Sequence, residues 1–334
     1  LYNKNRKGSG KLDVPIFSAG EKPMNLYLFS YLCFSVSVLA AGVRVYKQFT
    51  LPLHLRWELY PVKHEAGKRA DYGGSYMEES NWWEKKRHRS LYNEAKYMIP
   101  EILFVRGLWE ENRKLWWISF PFHFGLYLMM GTLGLILIGA MGMIAGARIG
   151  PESGAWSSFL YYLTILAGFV GLTLGTLGTA GLLWRRLSDP DMKKYSSFPD
   201  YFNLVFLLLF FVVALLAWLF FDHAFDGART YMYSLLTLGG QVGEGRSSLG
   251  WLTVVLSSLL IAYVPLTHMS HMFMKYFLYH QVRWEDEPNL KGSRVEAAIL
   301  KNLGFKPTWA APHIAGDGAK TWVDLATPEP KEKK

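Results

Sequence analysis

The sequence predicts an all-α integral membrane protein: a five-helix bundle with a long cytoplasmic loop of short interfacial helices and a cytoplasmic C-terminal tail. Three observations carry this prediction. Five stretches each supply the roughly 20 apolar residues needed to cross a ~30 Å hydrocarbon layer. They are residues 26–46, 117–147, 158–184, 202–221 and 251–279. None of them alternates with the period of two that barrel strands require, so each must satisfy its backbone internally as a helix. The third observation is compositional: 51% of the 334 residues are hydrophobic and 16% aromatic, enough for one membrane bundle with extramembrane arms.

The net charge of +9 is distributed by loop. Residues 47–114 hold thirteen Lys and Arg and residues 185–200 hold four, whereas residues 222–250 hold only Arg229 and Arg246. The positive-inside rule places the first two loops in the cytoplasm, with the N-terminus outside and the C-terminus inside. Topology and lipid headgroups account for the charge, so no nucleic-acid partner is expected. The single cysteine, Cys33, lies in the first span and excludes a disulfide framework, a cysteine-ligated iron–sulfur cluster and covalent c-type haem.

Residues 1–23 are polar and carry five basic side chains. They lack an apolar core and a small-residue cleavage pattern, and do not read as a signal peptide. The first helix is closed by Arg44, Tyr46 and Lys47. The loop that follows interleaves aromatic and charged residues, which suggests short helices lying on the membrane with Trp82, Trp83 and Trp109 as belt residues. Partner docking and plain interfacial packing are equally open there. His54, His64 and His88 in this loop read as hydrogen-bonded or solvated histidines.

The second helix opens at Trp116 and Trp117 and places Phe120, His123, Tyr127, Gly131 and Gly134 on one face. The small residues beyond the histidine leave room for a flat cofactor. In the third helix Gly168, Gly171, Gly175 and Gly178 line one face, for close helix packing or for clearance of a porphyrin edge. Arg185 and Arg186 end that helix as positive-inside anchors or partners for haem propionates. Ser197 or Asp200, with Pro199, suits the start of the fourth helix. After the fifth helix, residues near Val295–Leu303 are amphipathic, and from Ala310 onward the tail reads as disordered. The expected division is an outside tail (1–24), a five-helix transmembrane domain (25–285) and a cytoplasmic docking tail (286–334).

His268, His271 and Lys275 stand at the end of the fifth apolar run, where ionisable side chains are costly and face a cavity, a partner or a cofactor. Two imidazoles on opposite sides of a porphyrin give a six-coordinate haem that exchanges electrons. His123 lies ~9 Å inside the Trp116/Trp117 belt and His271 ~13 Å from His280, at 1.5 Å rise per residue on antiparallel helices. They pair as ligands to the haem iron, and Lys275, one turn further, is placed to meet a propionate. His268 competes with His271, from which it lies roughly 60° around the helix and ~4.5 Å deeper. The rival reading is a haem-free anchor or transporter in which these three residues relay protons or substrate.

The five-helix layout, PFHF at the start of helix two, RRLSDP and SSFPDYFN after helix three, and the six-residue step from Pro265 to His271 resemble the gamma subunit of respiratory nitrate reductase. Over residues 25–285 they are still more similar to the cytochrome b subunits of Dsr-, Tmc- and heterodisulfide-reductase-type complexes. In the nitrate reductase subunit four histidines hold two b haems. This chain matches one pair at His123 and His271, while Leu133 and Thr253 occupy the other two positions. The resemblance implies one haem b, with a second only if another ligand pair exists, and menaquinone as the quinone. It further implies electron transfer between menaquinone, or an outer multihaem cytochrome c, and a cytoplasmic iron–sulfur subunit of heterodisulfide-reductase type. The chain would then be the electron-transfer subunit of an oxidoreductase complex.

Overall fold

In the computed structural model, residues 24–50, 61–65, 67–87, 89–238, 247–311 and 314–327 are described. The expectations for residues 1–23, His54 and His88 fall outside them. The helices are, in chain order, α1 (Met24–Thr50), α2 (Lys68–Asp71), α3 (Leu91–Leu103), α4 (Arg106–Glu111), α5 (Arg113–Ile144), α6 (Ala155–Ser188) and α7 (Pro190–Tyr195). Then follow α8 (Phe198–Phe220), α9 (Asp226–Thr237), α10 (Ser248–Tyr263), α11 (His271–Leu278), α12 (Arg294–Leu303) and α13 (Trp322–Ala326). Among the described residues, five helical runs are long and apolar enough to cross a membrane: α1, α5, α6, α8 and Ser248–Leu266, which is α10 with the 3₁₀ turn after it. The all-α membrane class is as the sequence predicts, and the chain is a membrane protein.

The described residues fall into two compact units. The first comprises the chain up to Val36 together with Leu108–Ala262. Here α5 packs on α6 and α9, and α6 on α8. A Cβ on Gly178 would lie 2.4 Å from the backbone of Phe122, one on Gly125 2.4 Å from that of Gly175, and one on Gly175 2.1 Å from the Phe211 ring. The glycine stripe of α6 is therefore filled by neighbouring helices, which settles its role as close packing. Helix hydroxyls turn inward on their own backbones: Thr164 donates to Leu160 O (2.6 Å), Thr179 to Gly175 O (2.6 Å) and Thr253 to Leu249 O (2.8 Å). In an apolar medium such back-bonding satisfies a hydroxyl without a partner helix. At the start of α8 the Asp200 carboxylate accepts from the Ser197 amide (2.9 Å) and hydroxyl (2.7 Å), and Pro199 occupies the first turn, as the sequence indicates.

The segment between α8 and α10, read from sequence only as an outer loop, contains α9. Its Tyr231 stacks on Tyr27 of α1 (5.0 Å) and shares one hydrogen bond with Ser30, which also bonds Ser258 of α10. Arg229 is 2% exposed, packs against Gly139 of α5, and pairs with Asp226. An arginine counted in the sequence as a loop charge is thus a buried packing element.

The second unit comprises Ser37–Gly107 and the chain from Tyr263 onward. Its core gathers Val62, Met98, Tyr279 and Trp284. Asp286, its side chain fully buried, accepts from Arg87 and Arg89 (2.8 Å each) and from the Tyr76 hydroxyl (2.5 Å), and faces His64 Nε2 at 3.5 Å. Burial alone would push this carboxyl up. The hydrogen bonds from His64, Tyr76 and Arg89 and the Arg89 charge more than reverse that and hold it far below the usual carboxylate range. Of the two readings open for His64, solvated or hydrogen-bonded, this buried node gives the second.

Three expectations change here. α1 continues to Thr50, past the closure expected at Lys47, and Arg44 donates to Leu266 O (3.0 Å). The tail is ordered beyond Ala310 as far as it is described: Ala310–Ala311 pairs with Ile314–Ala315, Trp322 N donates to Phe305 O (3.0 Å), and Thr321 caps α13 with Asp324. The short strand pair and cap supply local hydrogen bonds that composition does not reveal. Most important, the fifth apolar run is not one helix to Tyr279. Its α-helix ends at Tyr263, and Pro265, which has no N–H and clashes with the preceding turn, starts two 3₁₀ turns, Val264–Leu266 and His268–Ser270.

Candidate haem-ligating site

His123 sits on α5 two residues after Pro121, on the face opposite the one that meets α6. Phe122 and Gly125 turn toward α6, while His123 and Tyr127 are only partly buried. Its Nδ1 lies 2.8 Å from the carbonyl oxygen of Ser119, one turn back, and 3.2 Å from the Ser119 hydroxyl. A carbonyl can only accept, so Nδ1 carries the proton and the lone pair is on Nε2. The stacked series Trp116, Phe120 and Phe124 (4.5 and 5.4 Å) runs along the same stretch. Further along the His123 face, a Cβ placed on Gly131 or Gly134 meets nothing within 4 Å. That open strip contrasts with the filled stripe on α6.

His271 opens α11 in the second unit. Its Nδ1 lies 3.0 Å from the carbonyl oxygen of His268, which again leaves the lone pair on Nε2. Both imidazoles are thereby in the tautomer a metal-ligating histidine adopts, with the second nitrogen anchored to a backbone carbonyl. The donor chemistry at each histidine is that of a haem-iron ligand, and the open strip of α5 lies on the His123 face. His123 belongs to the first unit and His271 to the second.

The remaining predicted residues divide. His268 is not one turn up a shared helix from His271. It lies in the 3₁₀ turn before α11, and its carbonyl is what orients the His271 ring, so the angular and depth comparison made on an ideal helix does not apply. Lys275, expected to meet a propionate, donates to Glu101 of α3 at 2.7 Å, both side chains being mostly buried. Arg186 donates to Ser196 (2.8 Å) and approaches Asp200 (3.7 Å), which ties α6 to the start of α8. Arg185 is partly exposed, about 10 Å of helix rise beyond the level at which Gly178 meets Phe122. At the positions of a second ligand pair, Leu133 is 43% exposed and Thr253 is bonded to its own helix.

Sequence reasoning missed Glu94 and Glu101. They are seven residues apart and therefore on one face of α3, where they bind His280 (2.8 Å) and Lys275 (2.7 Å). The only signal was their heptad spacing opposite two basic residues distant in sequence.

A search of curated proteins returned no match. The family model for the nitrate reductase gamma subunit matches residues 108–285, more than half of the chain. Those residues run from α4 through the core helices to the end of the His271 segment, and the family is one of haem b-binding membrane electron-transfer subunits. The chain belongs to the nitrate reductase gamma subunit family.

Proposed function

We propose that His123 and His271 are the axial ligands of one haem b in a membrane subunit that passes electrons between menaquinone and a cytoplasmic iron–sulfur subunit of heterodisulfide-reductase type. The observation that carries the ligand assignment is the shared tautomer: each Nδ1 is held by a backbone carbonyl, 2.8 Å at His123 and 3.0 Å at His271. Bis-imidazole ligation supplies one-electron exchange without substrate at iron. Ser119 and the His268 carbonyl hold each ring's orientation, and Gly131 and Gly134 keep clear the face they share with His123. Arg185, in the last turn of α6, would supply positive charge to a propionate.

The partner follows from the likeness to Dsr-, Tmc- and heterodisulfide-reductase-type cytochrome b subunits, and an outer multihaem cytochrome c is the alternative electron source. The same likeness implies a prokaryotic inner membrane, and loop charge supports an orientation with the N-terminus outside and the C-terminus in the cytoplasm. The proposed domain division is an outside tail, the cytochrome b domain of residues 25–285 and a docking tail.

The test is a reduced-minus-oxidised visible spectrum of the purified chain, expressed with haem supplied. A b-type alpha band and a haem-to-protein ratio near one are expected. His123→Ala and His271→Ala should each abolish low-spin haem, while His268→Ala keeps its backbone carbonyl and should retain it. An absent band in the parent protein would sink the reading in favour of a haem-free His/Lys relay.

A further inference from the structure

After α11 the chain forms a π-helical turn, Tyr279–Arg283, a local irregularity that recurs at functional sites. It carries His280, whose two ring nitrogens both face oxygen. Nδ1 is 2.7 Å from the carbonyl oxygen of Tyr276, and Nε2 is 2.8 Å from the Glu94 carboxylate of α3. A carbonyl never donates, and a carboxylate does so only when protonated. A neutral imidazole has one N–H and one lone pair, so it would set that lone pair against an oxygen at one of the two contacts. Both contacts are satisfied when the pair holds one additional proton, as an imidazolium beside a carboxylate.

The surroundings do not supply that proton by other means. His280 stacks on Tyr276 (4.0 Å) and meets Trp284 edge-on (5.7 Å). Lys275 and Arg283 lie over the Tyr279 ring (5.8 and 4.7 Å), and Lys63 lies over Tyr97 (5.3 Å). Glu101 is engaged by Lys275. Burial pushes the Tyr279 phenol far up, so it stays neutral. Among these groups the Glu94–His280 pair is the one whose two oxygen contacts call for an added proton.

The second contact fixes what that change would move. Glu101 and Glu94 lie on one face of α3, and they grip Lys275 and His280 on either side of the join between α11 and the π turn. His271 is one turn ahead of Lys275 on the same short helix. We propose that α3 is the positioning element for the His271 segment and that Glu94–His280 is its proton-dependent half, closed with the extra proton bound and released when it is lost. This rests on the reading of His271 as a haem ligand. Glu94 and Glu101 are positioning residues, acting through His280 and Lys275.

The test uses the full chain in lipid nanodiscs, with hydrogen–deuterium exchange of residues 91–103 and 271–283 followed from about pH 6 to about pH 9, corrected for intrinsic exchange. In the parent protein, protection should fall as pH rises, by at most about tenfold per pH unit, the limit for one linked proton. Glu94→Gln and His280→Gln should each flatten that slope. Glu101→Gln should lower protection at every pH with the slope intact. Haem midpoint potentials on the same samples should vary with pH in the parent and become flat in Glu94→Gln. A parent protein with no exchange slope, or an unchanged slope in Glu94→Gln, overturns the clamp. An exchange slope without a matching potential slope overturns its role in positioning the ligand. Absence of low-spin haem defeats the ligation reading instead, and the exchange slope then decides the clamp alone.

Discussion

His123 lies well inside the 32-residue helix α5, whereas His271 is the first residue of the eight-residue α11, after a proline break and two 3₁₀ turns. The ring of each is oriented in the same way, by a carbonyl three or four residues back. Their placement differs. Helix register and backbone-to-backbone glycine contacts fix His123, so its position is built into continuous secondary structure. His271 has no such register, and ion pairs from a separate helix, α3, hold its segment. A ligand on a rigid helix is hard to misplace without unfolding the helix pair. A ligand on a short segment can be moved by changing single charges.

The largest effect expected on this contrast comes from Gly178→Leu. With the Phe122 backbone 2.4 Å from the Cβ position, the side chain has nowhere to go, and overpacking here should cost ~3 kcal/mol or more. Thermal unfolding of the purified chain should fall sharply and haem should be lost with it. Gly131→Phe sharpens the point, since that position is open: melting should hold while the haem-to-protein ratio drops. Equal loss of stability in both variants would remove the distinction between packed and open glycine faces.

Next comes Asp286→Asn, which leaves Arg87 and Arg89 without their shared carboxylate. The cost should be ~3 kcal/mol, the scale for losing two charge-assisted hydrogen bonds to arginines that are themselves partly exposed. Proteolysis should increase in residues 61–107 and 263–327, with the α5–α6 pair still protected. The pH sign follows from the direction of the shift. A carboxyl held below its unfolded value contributes its full stability above that value and loses it only as pH falls towards the folded one, so this node should persist in mildly acidic solution. Parallel loss of all helices in limited proteolysis would contradict separate control of the two regions.

Glu101→Gln should be milder, ~1.5–3 kcal/mol for a charge-assisted hydrogen bond, and should perturb the spectrum of bound haem more than overall melting. The smallest effect is assigned to Ser119→Ala. It deletes the 3.2 Å hydroxyl contact but keeps the 2.8 Å carbonyl contact, so about 0.5–1 kcal/mol or less is at stake. Low-spin haem should remain at the parent ratio. Its complete loss would mean that the hydroxyl, and not the carbonyl, orients His123.

Four of the five spans, the Ser197–Asp200 start of α8 and the amphipathic α12 were legible in the sequence by itself. Each depends on a local rule: run length against bilayer thickness, a side chain reaching its own backbone, or apolar residues recurring at helical spacing. Tertiary structure decided the rest. Whether the α6 glycines made a slot or a contact depended on which backbone lay opposite them, and Phe122 and Phe211 filled the space. Pro265 was visible, but a membrane helix can carry a proline if neighbours satisfy the freed groups, so only the fold fixed the break at Tyr263. Arg229 became a buried side chain because α9 folds against Gly139. Lys275 and His280 acquired Glu101 and Glu94 as partners across some 180 residues of chain, a pairing set by three-dimensional proximity, which no spacing along the sequence encodes.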